Sequence, residues 1–485
     1  MLDDLPKLMK MLYPYAEEYG ILKAFPEGGK SEEEILSQVE HMAHQEDAKW
    51  ENGKCSGTMY HGDLEHYAFL NKVFSAFSHV NALQRDMCPS MNRFESEIVT
   101  MALDMLHGEA VREHNAMQEA CGVLSSGGTE SILNAVLTYR EQARQERGVT
   151  EPEIIIPDTA HAAFVKGAHI FCLKPIIAPT DPETTQVNVD FVRDHINENT
   201  AALVGSAGNY PYGTIDPIEE LSALALEHGI GLHVDGCLGG FILPGGQELG
   251  YDIPVFDFRV PGVTSISADT HKYGYGLKGT SVLLYRDKTL RHYQYFMYPE
   301  WKGGTYASPG LSGSRSGGLI AATWAAMVHY GKEGYRNRAK RIFETAFKMQ
   351  DAVKSHPELK LMGKPTFCLS FRSDEFNIYH VNDYMTPKGW RFNGQQNPDA
   401  IHMCVTGPQT QPGVADDFAR DLAEAVAYAK NPPQPEPKSG ALYGGGSAEL
   451  KLDSPEVAKF ILTMAMDAFY DNPAPILEAE THVGH

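Results

Sequence analysis

A lysine and an aspartate are the residues of this chain whose types and surroundings point most directly to chemistry. Lys272 follows the run Ser267-Ala-Asp-Thr-His271, and Asp235 lies upstream in His233-Val-Asp-Gly-Cys237. A lysine amine can form an imine with an aldehyde cofactor, and a carboxylate can keep a pyridine nitrogen protonated. The pair therefore predicts pyridoxal phosphate, joined to Lys272 as an imine and paired through its ring nitrogen with Asp235. Taken alone, most lysines are solvated and most Asp residues in Gly-rich turns are caps.

A glycine-rich turn supplies the next part of the predicted site. The run Leu124-Ser-Ser-Gly-Gly-Thr-Glu-Ser-Ile-Leu133 passes from small residues into an apolar-periodic stretch that reads as a helix. A helix start offers unpaired backbone N–H groups and a positive dipole end to a phosphate. We therefore expect Gly127, Gly128 and Thr129 to form the cup for the cofactor phosphate. A Gly-rich helix cap without a ligand is the alternative.

Polar side chains also follow other predicted strands. His161 comes after the buried run Ile154-Ile-Ile-Pro157, and Asn209 and Tyr210 follow the apolar run Ala202-Leu-Val-Gly205. Open α/β sheets keep their sites at such strand ends. His161 is placed where an imidazole could stack on the pyridine face, although a lone His after a strand is more often structural.

Five motifs together resemble a known family: Ser126-Gly-Gly-Thr-Glu-Ser131, Thr159-Ala-His-Ala-Ala163, His233-Val-Asp-Gly-Cys-Leu-Gly-Gly-Phe241, Asp269-Thr-His-Lys-Tyr-Gly274 and Gly313-Ser-Arg315. They are similar to the group II decarboxylase-related branch of fold-type-I pyridoxal phosphate enzymes. Within that branch the chain most closely resembles the sphingosine-1-phosphate lyase family, over nearly its whole length. The Asp-x-x-His-Lys element marks only the wider class. The Tyr60-His-Gly-Asp63 stretch, Cys237-Leu-Gly-Gly-Phe241 and the Gly-Ser-Arg element favour the lyases.

The resemblance implies roles around the cofactor. Lys272 would form the imine, Asp235 would pair with the pyridinium nitrogen, and His161 would stack on the ring. The cofactor phosphate would be contacted by Gly128, Thr129 and His271. The resemblance also implies that Ser314 reaches the cofactor phosphate of a neighbouring subunit, so that a homodimer shares its active sites.

The resemblance further implies a substrate pocket. Tyr60, Lys278 and Arg315 would face the substrate's phosphate, and Tyr210 would lie near the bond that breaks. One position departs from the family, because Gln84 stands where the lyases usually carry a histidine. A glutamine can donate a hydrogen bond but cannot become a cation. Either the neighbouring Arg85 supplies the charge, or the substrate head group differs.

The activity that the resemblance implies is a retro-aldol cleavage of a phosphorylated long-chain base. The substrate amine displaces Lys272, a base removes the hydroxyl proton, and the Cα–Cβ bond breaks to release a long-chain aldehyde and, after protonation, phosphoethanolamine. The nearest alternative is a pyridoxal phosphate-dependent amino-acid decarboxylase, which uses the same electron sink on a different bond and needs no cationic cluster for a phosphate. An inactive binding protein is disfavoured by the intact set Lys272, Asp235 and His161.

Composition favours a globular cytoplasmic enzyme. The chain has 485 residues, of which 42% are hydrophobic and 21% charged, enough for two domains with a sizeable core. The formal net charge of −22 opposes nonspecific binding to nucleic acid or anionic lipid, although a few cations in a cleft can still bind an anionic substrate. The 7 cysteines are scattered without a Cys-x-x-Cys pair, as expected of reduced thiols. The acidic start Met1-Leu-Asp-Asp-Leu-Pro6 predicts no signal peptide, and no run reaches the ~18–20 apolar residues of a membrane span, so we expect a soluble protein of bacterial type without a stable membrane anchor.

Two patterns are rejected as cofactor or metal sites. Gly274-Tyr-Gly-Leu-Lys-Gly279 satisfies Gly-x-Gly-x-x-Gly, but a strand follows it where a dinucleotide fold needs a helix. Several histidines could suggest a metal centre, namely His161, His169, His228 and His233. None has paired ligand spacing with the carboxylates, so no metal is expected.

The elements predict an α/β fold of the fold-type-I class: a large domain with a mostly parallel seven-stranded sheet and a smaller C-terminal α+β domain. The domain boundaries are expected at 1–59 for an N-terminal helical segment, 60–325 for the large domain and 326–485 for the small domain. Ser31 followed by three glutamates predicts a helix cap in the first segment. Large-domain strands are expected at 154–156, 203–205, 232–234, 265–267 and 281–285, and small-domain strands at 369–372 and 401–405. Residues 441–449 are expected to close near the mouth of the site.

Overall fold

The structure is a computed structural model, and residues 5–441 and 455–475 are the part of the chain that it describes. This part forms two compact units, one of residues 53–441 and one of residues 5–52 together with 455–475. The domain boundaries at 59/60 and 325/326 stay a prediction. The predicted closure by residues 441–449 lies, from residue 442 onward, outside the described residues.

Seven strands form the main sheet of the larger unit: β1 Cys121–Ser125, β2 Glu153–Pro157, β3 Lys174–Ala178, β4 Thr200–Ser206, β5 Gly231–Asp235, β6 Ser265–Ala268 and β7 Ser281–Tyr285. Their order across the sheet is β1-β7-β6-β5-β4-β2-β3. Neighbours run parallel except at β7, which is antiparallel to both β1 and β6. The predicted seven-stranded, mostly parallel sheet is confirmed, and each predicted strand of the large domain lies within an observed one.

The remaining strands form a hairpin and a second sheet: β8 Phe296–Tyr298, β9 Tyr306–Ser308, β10 Leu359–Leu361, β11 Cys368–Ser373, β12 Asn393–Gln395 and β13 Ala400–Cys404. Strands β8 and β9 pair with each other, and the antiparallel second sheet has the order β10-β11-β13-β12. This sheet belongs to the smaller C-terminal α+β part that the sequence predicted.

The α-helices are, in chain order, α1 Leu5–Leu12, α2 Ala16–Tyr19, α3 Glu32–Asp47, α4 Leu64–Phe77, α5 Ser90–Met105, α6 Val111–His114, α7 Gly128–Arg147, α8 Ala163–Phe171, α9 Val189–His195, α10 Ile218–His228, α11 Leu243–Glu248, α12 Lys288–His292, α13 Gly317–Lys354, α14 Tyr379–Met385, α15 Val414–Lys430 and α16 Pro455–Tyr470. Short 3₁₀ helices span Gly108–Ala110, Thr386–Lys388 and Gly407–Thr410. The long helix α13 is interrupted at Gly331, whose φ of 56° lies in the left-handed region.

Local sequence accounts for the ends and the burial of these elements. Ser31 caps α3 through the backbone N–H of Glu34, and the Glu34 carboxylate accepts from the backbone N–H of Ser31, which confirms the predicted cap. Strands β2, β4 and β5 are buried at every residue, as continuous apolar runs in a sheet covered on both faces require. In residues 5–441 and 455–475, no helix is both long and apolar enough to cross a bilayer.

Candidate active site

The candidate site lies at one edge of the main sheet. Because β1, β2, β4, β5 and β6 point the same way, their carboxyl ends meet at this edge. The residues that follow those ends, or form them, include five predicted site residues: Gly128, His161, Tyr210, Asp235 and Lys272. Parallel strand direction therefore brings together chain segments that are far apart in sequence.

Asp235 is the last residue of β5, and one of its carboxylate oxygens is held by the protein. Its Oδ1 accepts from the backbone N–H of Cys237 at 3.0 Å and from the Ser267 hydroxyl at 3.2 Å. Within residues 5–441 and 455–475, Oδ2 accepts no hydrogen bond from the protein. The carboxylate is buried, with 7% of the residue exposed. A fixed, buried carboxylate with one oxygen free of protein donors suits a cationic ring nitrogen.

Lys272 lies in the turn after β6 and forms an ion pair within that turn. Its Nζ is 2.8 Å from Oδ2 of Asp269, and the Nε2 of His271 is 3.7 Å from the same oxygen. Burial, the largest single cause, lowers the pKa of Lys272, but the Asp269 carboxylate together with Tyr60 and Cys237 raises it, and the net direction is upward. Burial is also the largest single cause at Asp269 and raises its pKa, but Lys272, His271 and Ser281 together lower it, and the net direction is downward. The ammonium is therefore the stable form of Lys272 while this ion pair persists.

The start of α7, where the phosphate cup is predicted, lies beside this turn. A Cβ on Gly128 would lie 2.6 Å from Oδ2 of Asp269, and a Cβ on Gly127 would lie 3.3 Å from Cε1 of His271. Glycine at both positions therefore lets the lysine turn approach the first backbone N–H groups of the helix. Thr129, the second residue of the helix, is exposed. The Nδ1 of His271 accepts from the backbone N–H groups of Gly279 and Thr280 at 3.3 and 3.2 Å, so Nε2 carries the proton.

His161 and Tyr210 complete the cofactor edge. Burial lowers the pKa of His161, while Asp235 raises it and Lys272 lowers it, so the imidazole lies within electrostatic reach of both cofactor residues. Its Nδ1 accepts from the backbone N–H of Ala163 at 3.1 Å. The Tyr210 ring packs against the ring of His402, with 4.8 Å between centroids.

A second lysine lies against Tyr60 next to the lysine turn. The Nζ of Lys278 is 4.5 Å from the centre of the Tyr60 ring and 3.4 Å from the backbone oxygen of His271. Burial and, to a smaller extent, the charge of Lys272 lower the pKa of Lys278 to about 8. Burial raises the pKa of Tyr60 and the charge of Lys272 lowers it, so the phenol lies within electrostatic reach of Lys272. We call Tyr60, Asp269, His271, Lys272 and Lys278 the lysine cluster.

The other predicted residues form a separate group around Asn81. The Asn81 amide donates to Oγ of Ser314 at 2.9 Å, and its Oδ1 accepts from the backbone N–H of Arg315 at 3.2 Å. The backbone N–H of Gln84 donates to the Asn81 carbonyl at 3.0 Å. The guanidinium of Arg315 is ion-paired with Glu95. We call these residues the Asn81 cluster.

The two clusters are not joined within one chain. Across residues 5–441 and 455–475, no hydrogen bond or ion pair connects the Asn81 cluster with the lysine cluster. The structure thus brings Tyr60 and Lys278 next to the Lys272 turn, whereas Gln84, Ser314 and Arg315 are each hydrogen-bonded to Asn81.

Sequence reasoning assigned no role to Asp269 or Glu95, although each gave a signal. Asp269 precedes Lys272 by three residues, a spacing at which opposite charges often meet. Glu95 shares the buried face of α5 with Met91, Ile98 and Ala102, and a buried carboxylate needs a cationic partner. The spacing of that helix face could therefore have identified Glu95 as a buried carboxylate in need of a cation, but not which cation.

The residues at the sheet edge fit pyridoxal phosphate. Gly128 and Thr129 offer a helix start to its phosphate, Lys272 offers an amine for its aldehyde, and Asp235 offers Oδ2 to its ring nitrogen. Oδ1 of Asp269 is buried without a hydrogen-bond partner, so this oxygen could also accept a hydrogen bond from a bound ligand. Each chemical part of the cofactor therefore has a matching group at this edge.

Comparisons with known proteins agree with this geometry. Residues 14–372 match the model of the pyridoxal-dependent decarboxylase conserved domain. A sphingosine-1-phosphate lyase of Arabidopsis thaliana is 44% identical over 441 residues, which are 90% of this chain and 79% of the relative. The solved structure of a sphingosine-1-phosphate lyase from Burkholderia pseudomallei is 60% identical, has a TM-score of 0.90, and matches 95% of this chain and 100% of its own.

A more distant structure shares the fold alone. The glutamate decarboxylase of Lactobacillus brevis is 18% identical, with a TM-score of 0.72 over 87% of this chain and 98% of its own. The lyases, in contrast, match in sequence over most of their length. This chain therefore belongs to the sphingosine-1-phosphate lyase family of pyridoxal phosphate-dependent enzymes.

Proposed function

We propose that this enzyme cleaves a phosphorylated long-chain amino alcohol of the sphingosine 1-phosphate type at its Cα–Cβ bond. The products are a long-chain aldehyde and phosphoethanolamine. The observation that carries the proposal is Lys278, whose ammonium lies over Tyr60 within electrostatic reach of Lys272 and has no carboxylate within ion-pairing distance in the described part of the chain. A phosphate at this place would supply the missing negative charge.

Each residue of the site has a definite task in this proposal. Pyridoxal phosphate, when bound, supplies a sink for the electron pair that the breaking bond releases. Asp235 would keep the proton on the ring nitrogen through Oδ2, and His161 would stack on the ring face. Lys272 holds the cofactor aldehyde until substrate arrives, and its Nζ then exchanges a proton with Asp269 at 2.8 Å. Tyr210 lies near the bond that breaks.

Other residues bind the two phosphates. Gly128, Thr129 and His271 hold the cofactor phosphate, for which the proton on Nε2 of His271 is the donor. Tyr60 and Lys278 bind the substrate phosphate. The names of the relatives favour this assignment over the alternative of an amino-acid decarboxylase, which would need no cation for a substrate phosphate.

Product analysis tests the proposal. Purified enzyme with pyridoxal phosphate is mixed either with a phosphorylated long-chain base or with a panel of common amino acids. We expect equal amounts of aldehyde and phosphoethanolamine from the first and no carbon dioxide from the second. Carbon dioxide release without any aldehyde would overturn the proposal and leave the decarboxylase in its place. Lys272→Ala is the matched control for turnover that does not come from the site.

We also propose a cytoplasmic homodimer in which each site uses residues of both chains. In the described part of the chain no hydrogen bond or ion pair ties the Asn81 cluster to the lysine cluster, which supports this because Ser314, Gln84 and Arg315 could then serve the neighbour's site. The exposed apolar side chains of the β8–β9 hairpin, among them Phe296 and Met297, are a suitable surface for a second copy. The acidic composition and scattered cysteines support the cytoplasmic location.

Mixing two inactive variants tests the shared site. Lys272→Ala and Arg315→Ala are each expected to be nearly inactive, but a mixed dimer would carry one site with both residues intact. Random exchange of subunits should then restore about a quarter of wild-type activity. No recovery in a sample shown by native mass spectrometry to contain mixed dimers would contradict the shared site.

A further inference from the structure

We propose that His233 is a positioning residue for Asp235, at the centre of a buried hydrogen-bonded chain that begins at Tyr139 and ends on the Asp235 carboxylate. The inference rests on one part of the proposed function, the pairing of Asp235 with the cofactor ring nitrogen. It does not depend on the identity of the substrate. We call Tyr139, Ser265, His233, Ser267 and Asp235 the Asp235 relay.

The register of two strands places the relay residues side by side. In the parallel pair β5 and β6, His233 lies opposite Ser265 and Asp235 lies opposite Ser267. Residues two apart on a strand face the same side of a sheet, so all four side chains share one face. Tyr139 reaches the end of this row from α7. A Cβ on Gly231 would lie 2.1 Å from the Tyr139 ring, so the glycine makes room for the phenol.

The relay is continuous in hydrogen-bond distances. The Tyr139 hydroxyl is 2.6 Å from Oγ of Ser265, which is 2.7 Å from Nδ1 of His233. The Nε2 of His233 is 3.1 Å from Oγ of Ser267, and that hydroxyl donates to Oδ1 of Asp235 at 3.2 Å. Both ring nitrogens of His233 are therefore occupied by serine hydroxyls.

An ionised Asp235 fixes the direction of every proton in the relay. A carboxylate can only accept hydrogen bonds, so the single hydroxyl proton of Ser267 is donated to Asp235. Ser267 must then accept from His233, which places the ring proton on Nε2. The bare Nδ1 accepts from Ser265, and Ser265 in turn accepts from Tyr139. Reversal of any single bond would leave two donors or two acceptors facing each other.

The relay is sealed from solvent. His233 and Tyr139 are each 1% exposed, and Ser265 and Ser267 are 0% exposed. Burial lowers the pKa of His233 to about 4, so the ring is neutral near pH 7 and can donate at one nitrogen while accepting at the other. A doubly protonated ring would lose the bond from Ser265. Inside a buried network such aligned bonds strengthen one another, and an unmade bond is costly.

The effect on the site follows from which oxygen is held. Because the relay and the Cys237 N–H both bind Oδ1, the other oxygen is left for the ring nitrogen. Without the donor at His233, the Ser267 hydroxyl can rotate away from Asp235 towards another acceptor. The carboxylate would then lose both orientation and one of its two protein donors.

The test compares His233→Leu with His233→Gln in holoenzyme that carries 15N-labelled pyridoxal phosphate. Leucine removes both polar atoms, whereas the glutamine amide can still accept from Ser265 and donate to Ser267. We expect His233→Leu to move the ring 15N chemical shift towards the value of an unprotonated pyridine and to lower kcat about tenfold with little change in KM. His233→Gln should restore most of both. Tyr285→Phe is the matched control, because it removes buried hydrogen bonds to Thr138 and Gln294 in the same sheet but lies outside the relay.

Asp235→Asn, measured in parallel, separates this inference from its premise. An unchanged ring 15N shift in Asp235→Asn would refute the pairing of Asp235 with the ring nitrogen, and the relay with it. A changed shift in Asp235→Asn together with an unchanged shift in His233→Leu would refute the relay alone. If His233→Leu does not fold, Ser265→Ala carries the same test, because it removes the donor to Nδ1, and an unchanged shift there also overturns the inference. No outcome depends on the substrate, since the spectrum is recorded without it.

Discussion

Replacement of Lys278 by methionine removes the ammonium from the proposed substrate pocket and keeps most of the aliphatic stem over Tyr60. In the structure, Nζ lies 4.5 Å from the Tyr60 ring centre and donates a hydrogen bond of 3.4 Å to the backbone oxygen of His271. A charge-assisted hydrogen bond to phosphate is worth roughly 1.5–3 kcal/mol, so kcat/KM for the phosphorylated substrate should fall about ten- to a hundredfold. The loss for the unphosphorylated analogue should be far smaller.

The pH dependence gives a second measure of the same charge. Because burial lowers the pKa of Lys278 to about 8, the free enzyme loses this positive charge as pH rises through that value. A phosphate monoester becomes a dianion only above about pH 6. We therefore expect kcat/KM for the phosphorylated substrate to be highest between these limits and to decline above pH 8.

Lys278→Arg is the control, since it keeps the charge and should move the alkaline limit upward. The assay is steady-state aldehyde release from both substrates between pH 5.5 and 9.5. Equal losses for phosphorylated and unphosphorylated substrates in Lys278→Met would refute the reasoning, as would an alkaline limit that Lys278→Arg leaves in place. The decarboxylase alternative would then become the leading explanation.

Three further changes test other parts of the site. Lys272→Ala should abolish the visible absorption of the bound cofactor and nearly all turnover, and a variant that keeps both would show that another amine holds the cofactor. Asp269→Asn should shift capture of free pyridoxal phosphate by the apoenzyme to lower pH, because the carboxylate that raises the pKa of Lys272 is gone; stopped-flow absorbance against pH measures this, and an unshifted profile would contradict it. Gln84→His should leave phosphosubstrate binding unchanged or improve it, most visibly below pH ~6.5 where the imidazole is charged, and weaker binding there would exclude a phosphate contact at this position.

The sequence predicted the strands whose ends meet at this edge because the signals for those strands are local. A buried apolar run followed by polar residues marks a strand and its end, and the parallel sheet then brings those ends together without further information. Asp235, His161 and Lys272 were placed in this way, and the structure puts His161 within electrostatic reach of both Asp235 and Lys272. Gly127 and Gly128 were likewise placed by a pattern that changes from turn to helix within a few residues.

The rest depends on contacts between distant residues that no local pattern encodes. Glu95 and Arg315 are 220 positions apart in the sequence, and Asn81 and Ser314, which are hydrogen-bonded, are 233 positions apart. The relay behind Asp235 also escaped sequence reasoning, because His233 and Ser265 become neighbours only through the register of β5 and β6. Here His233 was considered only as a metal ligand, and its hydroxyl partners explain why it needs no metal.

The surroundings of the Asn81 cluster help to decide between the two explanations for Gln84, a glutamine at a position where the lyases usually carry a histidine. Arg85 was one possible source of the charge that Gln84 lacks, but its guanidinium already binds Oδ1 of Asn92 at 2.6 Å and forms an ion pair with Glu95. Arg315 binds the same carboxylate, so two guanidinium groups share one negative charge and a single net positive charge remains. That remainder is enough to attract a phosphate without a histidine at position 84. The cluster therefore favours retained phosphate recognition, with Glu95 fixing both arginines, over a substrate whose head group lacks the phosphate.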